Sequence, residues 1–282
     1  MRIQILAVPY DSGHHRLRMG AGPEALLRAG LEDALRRNGH SVHTRIAELP
    51  DGAWTAEIAT AFELMRMLSR GVREAVDDDS LPIVLVGNCN TAVGTLAGLG
   101  PDTGVAWFDA HGDFNTPDTT ATGFLDGTGL ATVTGRCWTT LAATVPGFEP
   151  VPDQAVCLIG ARDIDPAEGA LLRQSSVGVV PVDDLRTALR PALARVAEHV
   201  DRIYVHIDLD VLDSGVARAN SYAIGGGLTL DDMQYALNEL AGAFKIAGVA
   251  LSAYEPDADA DGAAARAAIA LLSTAAGLAD RT

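Results

Sequence analysis

Two clusters of acidic residues follow short apolar runs in this chain. The first is Asp109-Ala110-His111-Gly112-Asp113, after Gly104 to Phe108. The second is Asp208-Leu209-Asp210, after Ile203 to Ile207. Each run is too short for a helix and reads as a buried parallel strand. Open α/β sheets place their sites at the carboxyl ends of such strands. Alternation puts Asp109, His111 and Asp113 on one side while the chain stays extended. Carboxylates and an imidazole converging there suit a divalent ion such as manganese or zinc. One cluster alone could be a capped strand end with charges facing water. Two at two strand ends point to metal.

The elements that must position these residues follow from periodicity and punctuation. Short apolar runs predict strands at Ile3–Val8, Ser41–Arg45, Pro82–Val86, Gly104–Phe108, Ala155–Ile159, Val177–Val182, Ile203–Ile207 and Ile246–Ser252. Helical spacing or helix punctuation predicts helices over Pro23–Asn38, Trp54–Val76 and Asp184–Glu198 and through Leu99. Others are expected after Pro166 and from about Gly262 to Ala276. Pro23 at a helix start and Gly39 past its end fit the usual asymmetry. Strands alternating with helices, without a Gly/Ser linker or a repeat, give one α/β domain over 1–282 with a parallel sheet covered on both faces. Gly225-Gly226-Gly227 does not follow the first strand, so a dinucleotide fingerprint is not indicated, and neither a P-loop nor a nucleophile elbow is present.

A net charge of −16 argues against nucleic acid or an anionic membrane as partner. It favours a cationic small substrate weakly, because acidic surfaces also serve solubility. Cys89, Cys137 and Cys157 form no paired spacing, which is a reduced, intracellular pattern. With no signal-peptide layout and no apolar run of membrane-spanning length, a cytoplasmic location is expected.

The two acidic clusters resemble the metal-binding signatures of the ureohydrolases, the family of arginase and agmatinase, in both order and separation. The likeness extends over most of the chain. Ala7-Val8-Pro9-Tyr10-Asp11 with Gly22-Pro23 is similar to the family's opening, and Gly226-Gly227-Leu228-Thr229 to its Gly-Gly-Leu-Thr. Ile159 to Glu168 is similar to the segment that arginases use for the substrate's α-amino group. The resemblance implies a three-layer α/β sandwich around a parallel eight-stranded sheet. It also implies a homo-oligomer, trimer or hexamer, and a binuclear Mn2+ centre.

It further implies amidinohydrolase chemistry on a linear guanidine. A guanidinium carbon is a poor electrophile, and two adjacent divalent ions would make water a stronger nucleophile. By resemblance Asp109 and Asp208 bridge both ions. His111 and Asp210 complete one site and Asp113 the other. Asp113 would also pass a proton to the leaving amine. Asn115 and Thr122 match positions that recognise the α-carboxylate, while Asp165 and Glu168 match those near the α-amino group. Asp165 before Pro166 also reads as a helix N-cap, and Asn115 and Thr122 as turn-forming polar residues.

The pattern departs from the family at three places. Gly87-Asn88-Cys89-Asn90-Thr91 stands where Gly-Gly-Asp-His is usual, so Asn90 holds the position of a metal-binding His. An amide oxygen is a weaker ligand than imidazole, so the Asp113-side ion is expected to be weak or held differently. Asn90 could ligate through oxygen, or water could fill the position. His206 could compensate, although strand rise places it ~6–7 Å from Asp208. A histidine bonded inside the core is the simpler account of it. Cys89 is read as structural or as support behind the ligands. Asp126 replaces the proton-shuttling His. Ala253 falls at the guanidinium-binding Glu, leaving Glu255 as the nearby substitute after a small loop shift.

These residues support hydrolysis of the guanidino C–N bond of L-arginine or a close analogue, releasing urea or its analogue. The altered positions favour a hydroxylated or otherwise modified guanidine. The alternative is a catalytically impaired member with a structural or regulatory role. Amide deacetylation by a related single-metal fold is disfavoured by the paired Asp109 and Asp208.

Overall fold

The computed structural model describes residues 1–49 and 56–281. Eight parallel strands form one sheet. They are β1 (Arg2–Val8), β2 (Ser41–Ile46), β3 (Ser80–Val86), β4 (Thr103–Phe108), β5 (Val156–Ile159), β6 (Gly178–Val180), β7 (Arg202–Asp208) and β8 (Lys245–Ser252). Their spatial order is β2-β1-β3-β8-β7-β4-β5-β6. Central strands such as β4 are buried along their whole length, which is why their sequences are apolar runs rather than alternations.

Two apolar clusters lie on the two faces of the sheet and make a three-layer α/β sandwich. On one face Ile203, Val205 and Ile207 pack with Leu26 and Leu35, with Leu189 of Leu185–Ala197, with Leu237 of Leu230–Ala243 and with Leu271 of Ala263–Ala279. On the other, Val105, Trp107 and Tyr204 pack with Phe62 and Met65 of Glu57–Asp77 and with Val93 and Leu96 of Ala92–Leu99. Burying both faces supplies the main drive for this architecture.

All eight expected strands form, with ends differing by one or two residues. The helix expected over Pro23–Asn38 is divided into Gly22–Arg28 and Leu31–Arg37. Gly30 separates them at φ +97°, a conformation that glycine adopts without a Cβ penalty. The start of the helix expected from Trp54 lies outside the described residues; the helix runs Glu57–Asp77. The helix Leu230–Ala243 is an addition to the sequence reading. Thr229 and Asp232 cap it reciprocally, a signal visible as Thr-Leu-Asp-Asp before Met233, Ala236 and Leu237. Among the described residues, no helix is long and apolar enough to cross a membrane.

The strand order decides where chemistry can gather. β3, β8, β7 and β4 are consecutive neighbours, all pointing the same way. Their carboxyl ends and the turns leaving them carry Cys89, Ala253, Asp208 with Asp210, and Asp109 with Asp113. Residues more than 100 positions apart in sequence therefore meet at one edge.

Candidate metal centre and active site

A cavity of about 180 Å³ opens at that edge. Its wall includes Cys89, His111, Asp113, Asp126, Asp208 and Asp210. Among the described residues, neither Lys nor Arg contributes to the wall.

Among the described residues, two overlapping ligand sets form, each with donor atoms within 4.8 Å of one another. Asp109, His111 and Asp210 make one; Cys89, Asp109 and Asp113 make the other. Asp109 belongs to both. Asp208 joins them, since its Oδ2 accepts from Cys89 Sγ at 3.0 Å and its Oδ1 from the Asp210 amide at 2.9 Å. In the first set, His111 Nδ1 lies 3.2 Å from Asp109 Oδ1 and 3.5 Å from Asp210 Oδ2. Asn220, fully buried, holds Asp210 by donating Nδ2 to Oδ2 at 3.3 Å and to the Ala253 carbonyl at 2.8 Å.

Backbone strain concentrates here. Asp113 has φ +49° and Ala253 φ +59°, both left-handed and both lining the cavity. Such conformations cost about 1–3 kcal/mol each and persist where the surroundings over-determine them. Gly112 is required by a close approach: a Cβ there would stand 2.6 Å from Glu168 Cδ.

The electrostatics suit a cation, which would relieve the crowded carboxyls as protonation does. Burial pushes the Asp113 carboxyl well above the carboxylate range, and the charges of Asp109 and Asp126 push it further. Asp208 is likewise raised, by burial and then by Asp210 and Asp109. Burial raises Asp109 against the opposing hydrogen bond from His111. Burial would lower the His111 imidazole, but the hydrogen bond to Asp109 and the charges of Asp210 and Asp109 raise it to about 9. Burial lifts the Cys89 thiol well above its usual value, with Asp208 and Asp126 adding to the effect. Asp113 Oδ2 is buried without a hydrogen-bond partner. Crowded carboxylates, a buried acceptor without a donor, a thiol and an imidazole fit divalent transition ions.

Asp126 is a further wall carboxyl. Its Oδ1 accepts from the Asn90 amide at 2.9 Å and its Oδ2 from Asn88 Nδ2 at 2.9 Å. Burial raises it to about 7 despite those two donors.

Another part of the cavity wall is built by the start of the capped helix Pro166–Gln174. Asp165 and Glu168 form a reciprocal capping box at its start. Glu168 is buried and also accepts from the Phe114 amide at 2.7 Å. Asn115 Nδ2 reaches Asp165 Oδ2 at 3.4 Å. All three line the cavity, with Asp163 beside them and Phe124 and Tyr222 stacked at 5.6 Å.

Some expected residues stand elsewhere. Asn90 lines a separate small cavity with Tyr10, Asn88 and Glu57, and its role at Asp126 is through its main chain. The ligand-type atom on that turn belongs to Cys89, one residue earlier than the position expected from sequence. Cys89–Thr91 is a 3-10 turn, so strand alternation no longer predicts direction there. Thr122 is exposed, and its hydroxyl accepts from the Phe124 amide at 3.2 Å. Glu255 lies outside the cavity wall, accepting from the Ser221 amide at 3.0 Å, whereas Ala253 is in the wall. His206 lies beneath the site, fully buried and stacked on Trp107 at 3.8 Å. The cavity wall adds Asp163, Asn220, Tyr222 and Met19 to the residues expected from sequence.

The sequence model of the arginase family matches residues 1–277. The arginase of Bacillus caldovelox is 28% identical, over 96% of this chain and 97% of its own. Its crystal structure superposes with a TM-score of 0.87, covering 97% of each chain at 27% identity. The arginase of Bacillus cereus superposes with a TM-score of 0.88 over 98% of each chain at 26% identity. The N(omega)-hydroxy-L-arginine amidinohydrolase of Streptomyces lavendulae is 32% identical, over 86% of this chain and 84% of its own. A strand order that brings four turns to one acidic cavity and a match over nearly the whole chain agree: this protein belongs to the arginase family.

Proposed function

We propose that the chain is a metal-dependent amidinohydrolase that cleaves the guanidino C–N bond of L-arginine or a close analogue. The observation that carries this reading is the cavity itself, walled by carboxylates without a Lys or Arg and containing two donor sets that share Asp109. Asp109, His111, Asp208 and Asp210 would hold one divalent ion, and Cys89, Asp109, Asp113 and Asp208 the other. Manganese suits the carboxylate-rich set; the sulfur makes the second set softer. When bound, such ions lower the pKa of water and stabilise charge at the reacting carbon.

The chain's own residues would do the rest. Asn115, Asp165 and Glu168 orient the amino-acid end. Water adds to the guanidino carbon, the bond to the side-chain nitrogen breaks, and that nitrogen leaves as an amine carrying the proton. Asp113 would deliver it, and Asp126 would exchange protons between the cavity and solvent. Ala253 puts no carboxylate at the position of the family's guanidinium-binding Glu. That favours a modified guanidine, and the Streptomyces lavendulae relative is named for a hydroxylated one.

The test is product release from a panel of L-arginine, Nω-hydroxy-L-arginine and agmatine by manganese-loaded protein. Hydrolysis of the amino acids in preference to agmatine is expected. Two bound metals without turnover on any of them would instead support the catalytically impaired alternative.

A further inference from the structure

Behind the cavity, buried polar groups form a continuous hydrogen-bonded line running inward from Cys89. Cys89 Sγ lies 3.0 Å from Ser252 Oγ. Ser252 Oγ lies 3.3 Å from His206 Nε2. His206 Nδ1 lies 2.8 Å from Tyr204 Oη. Tyr204, His206 and Ser252 are fully buried, and Cys89 is nearly so. Tyr204 and His206 alternate along β7 toward Asp208, and Ser252 of β8 is the register partner of Asp208. Trp107 of β4 is the register partner of His206 and stacks on its ring at 3.8 Å. The line is therefore fixed by the sheet itself.

Buried polar groups in an apolar core are costly unless their hydrogen bonds are satisfied. One arrangement of protons satisfies this line. Tyr204 donates its hydroxyl proton to His206 Nδ1. The neutral imidazole then carries its proton on Nε2 and donates to Ser252 Oγ. Ser252 can then turn its own proton toward the Cys89 sulfur at 3.0 Å, with the Ile207 carbonyl at 3.3 Å as the competing acceptor. Without metal, the Cys89 thiol donates onward to Asp208. A cysteine that ligates a divalent ion does so without its proton, which leaves to solvent, and the sulfur becomes an acceptor only. Ser252 then supplies the hydroxyl facing it.

We propose that Ser252, oriented by His206 and Tyr204, is a positioning residue that fixes the Cys89 sulfur by donating a hydrogen bond to it and so tunes the ion that this sulfur holds. The proposal rests on Cys89 being a ligand. Hydrogen bonds to a ligating atom from outside the coordination sphere set its orientation and donor strength, and their loss typically weakens metal binding about 10–100-fold. In this fold the device takes the form of a serine–histidine–tyrosine line, because a thiol one residue along a 3-10 turn reaches β8 rather than solvent.

Cobalt reports it directly, since a thiolate bound to Co2+ gives a charge-transfer band in the near ultraviolet. The protein loaded with Co2+ alone is expected to show this band, and Cys89→Ala to lack it. In Ser252→Ala the band is expected to move to longer wavelength, because the sulfur electrons lose a stabilising donor. Co2+ affinity should fall about 10-fold or more. Tyr204→Phe, which keeps the ring and removes one hydroxyl, should shift the band less but in the same direction, and it carries the test if Ser252→Ala does not fold. A wild-type band unmoved in these variants, with unchanged affinity, would overturn the role of the line while leaving Cys89 as a ligand. No band in the wild type, with cobalt bound, would overturn the Cys89 reading and the proposal with it.

Discussion

The Cys89 sulfur lies 3.0 Å from the Asp208 carboxylate, bridging two turns that are 119 residues apart in sequence. β3 and β7 do not touch in the sheet; β8 runs between them and supplies Ser252 beneath the pair. The contact exists only because four neighbouring strands end at one edge, and it brings the Asp113-side donor set together.

Removing the sulfur should therefore unbind one ion selectively. In Cys89→Ala, elemental analysis after manganese loading should show close to one ion per chain, with two in the wild type. Thermal stability of the metal-free forms should change by about 1–2 kcal/mol, the ordinary cost of truncating a small buried side chain. Two tightly held ions in Cys89→Ala would remove Cys89 from the ligand set.

Asp126 should make the metal-free protein sensitive to pH. Its carboxyl titrates at about 7 in the fold against an ordinary 3.8. A carboxyl with a raised folded pKa favours the fold while protonated, so its contribution is complete below about pH 4 and is lost as pH rises through 7. Urea midpoints in a chelator should fall from pH 4 to pH 7 more steeply for the wild type than for Asp126→Asn. The difference should be on the order of a few kcal/mol. Parallel profiles would show that Asp126 keeps its ordinary acidity.

Gly112 tests the join between metal turn and substrate wall. A Cβ at this position would sit 2.6 Å from Cδ of the buried Glu168, which is itself held by the Phe114 and Asp165 amides. Overpacking of this kind costs about 1–3 kcal/mol. Gly112→Ala should lower stability by that amount and raise KM for an amino-acid substrate more than it changes kcat. Wild-type stability and kinetics would show that the Glu168 side chain moves aside freely.

Much of this architecture was legible in the sequence because buried parallel strands are nearly continuous apolar runs bounded by turn residues. Gly104–Phe108 and Ile203–Ile207 announce β4 and β7, and their trailing acids announce the site. Legibility ended where backbone geometry stops being regular. Asn90 and Cys89 cannot be ranked by alternation on a 3-10 turn. Asp113 and Ala253 adopt left-handed conformations, so neither side-chain direction follows from strand or helix periodicity. Glu255 lies only two residues beyond Ala253, yet the turn directs it to the Ser221 amide. The break at Gly30 is a different case, since glycine permits the left-handed kink without requiring it.

In the proposed reaction Asp109 unites two metal sites that drive hydrolysis. Turnover of the best guanidino substrate, followed as Mn2+ is added stepwise to metal-free protein, tests it most directly. No activity in chelator and a plateau at two equivalents per chain are expected, with Asp109→Asn binding neither ion tightly. Turnover undiminished by complete metal removal would contradict it.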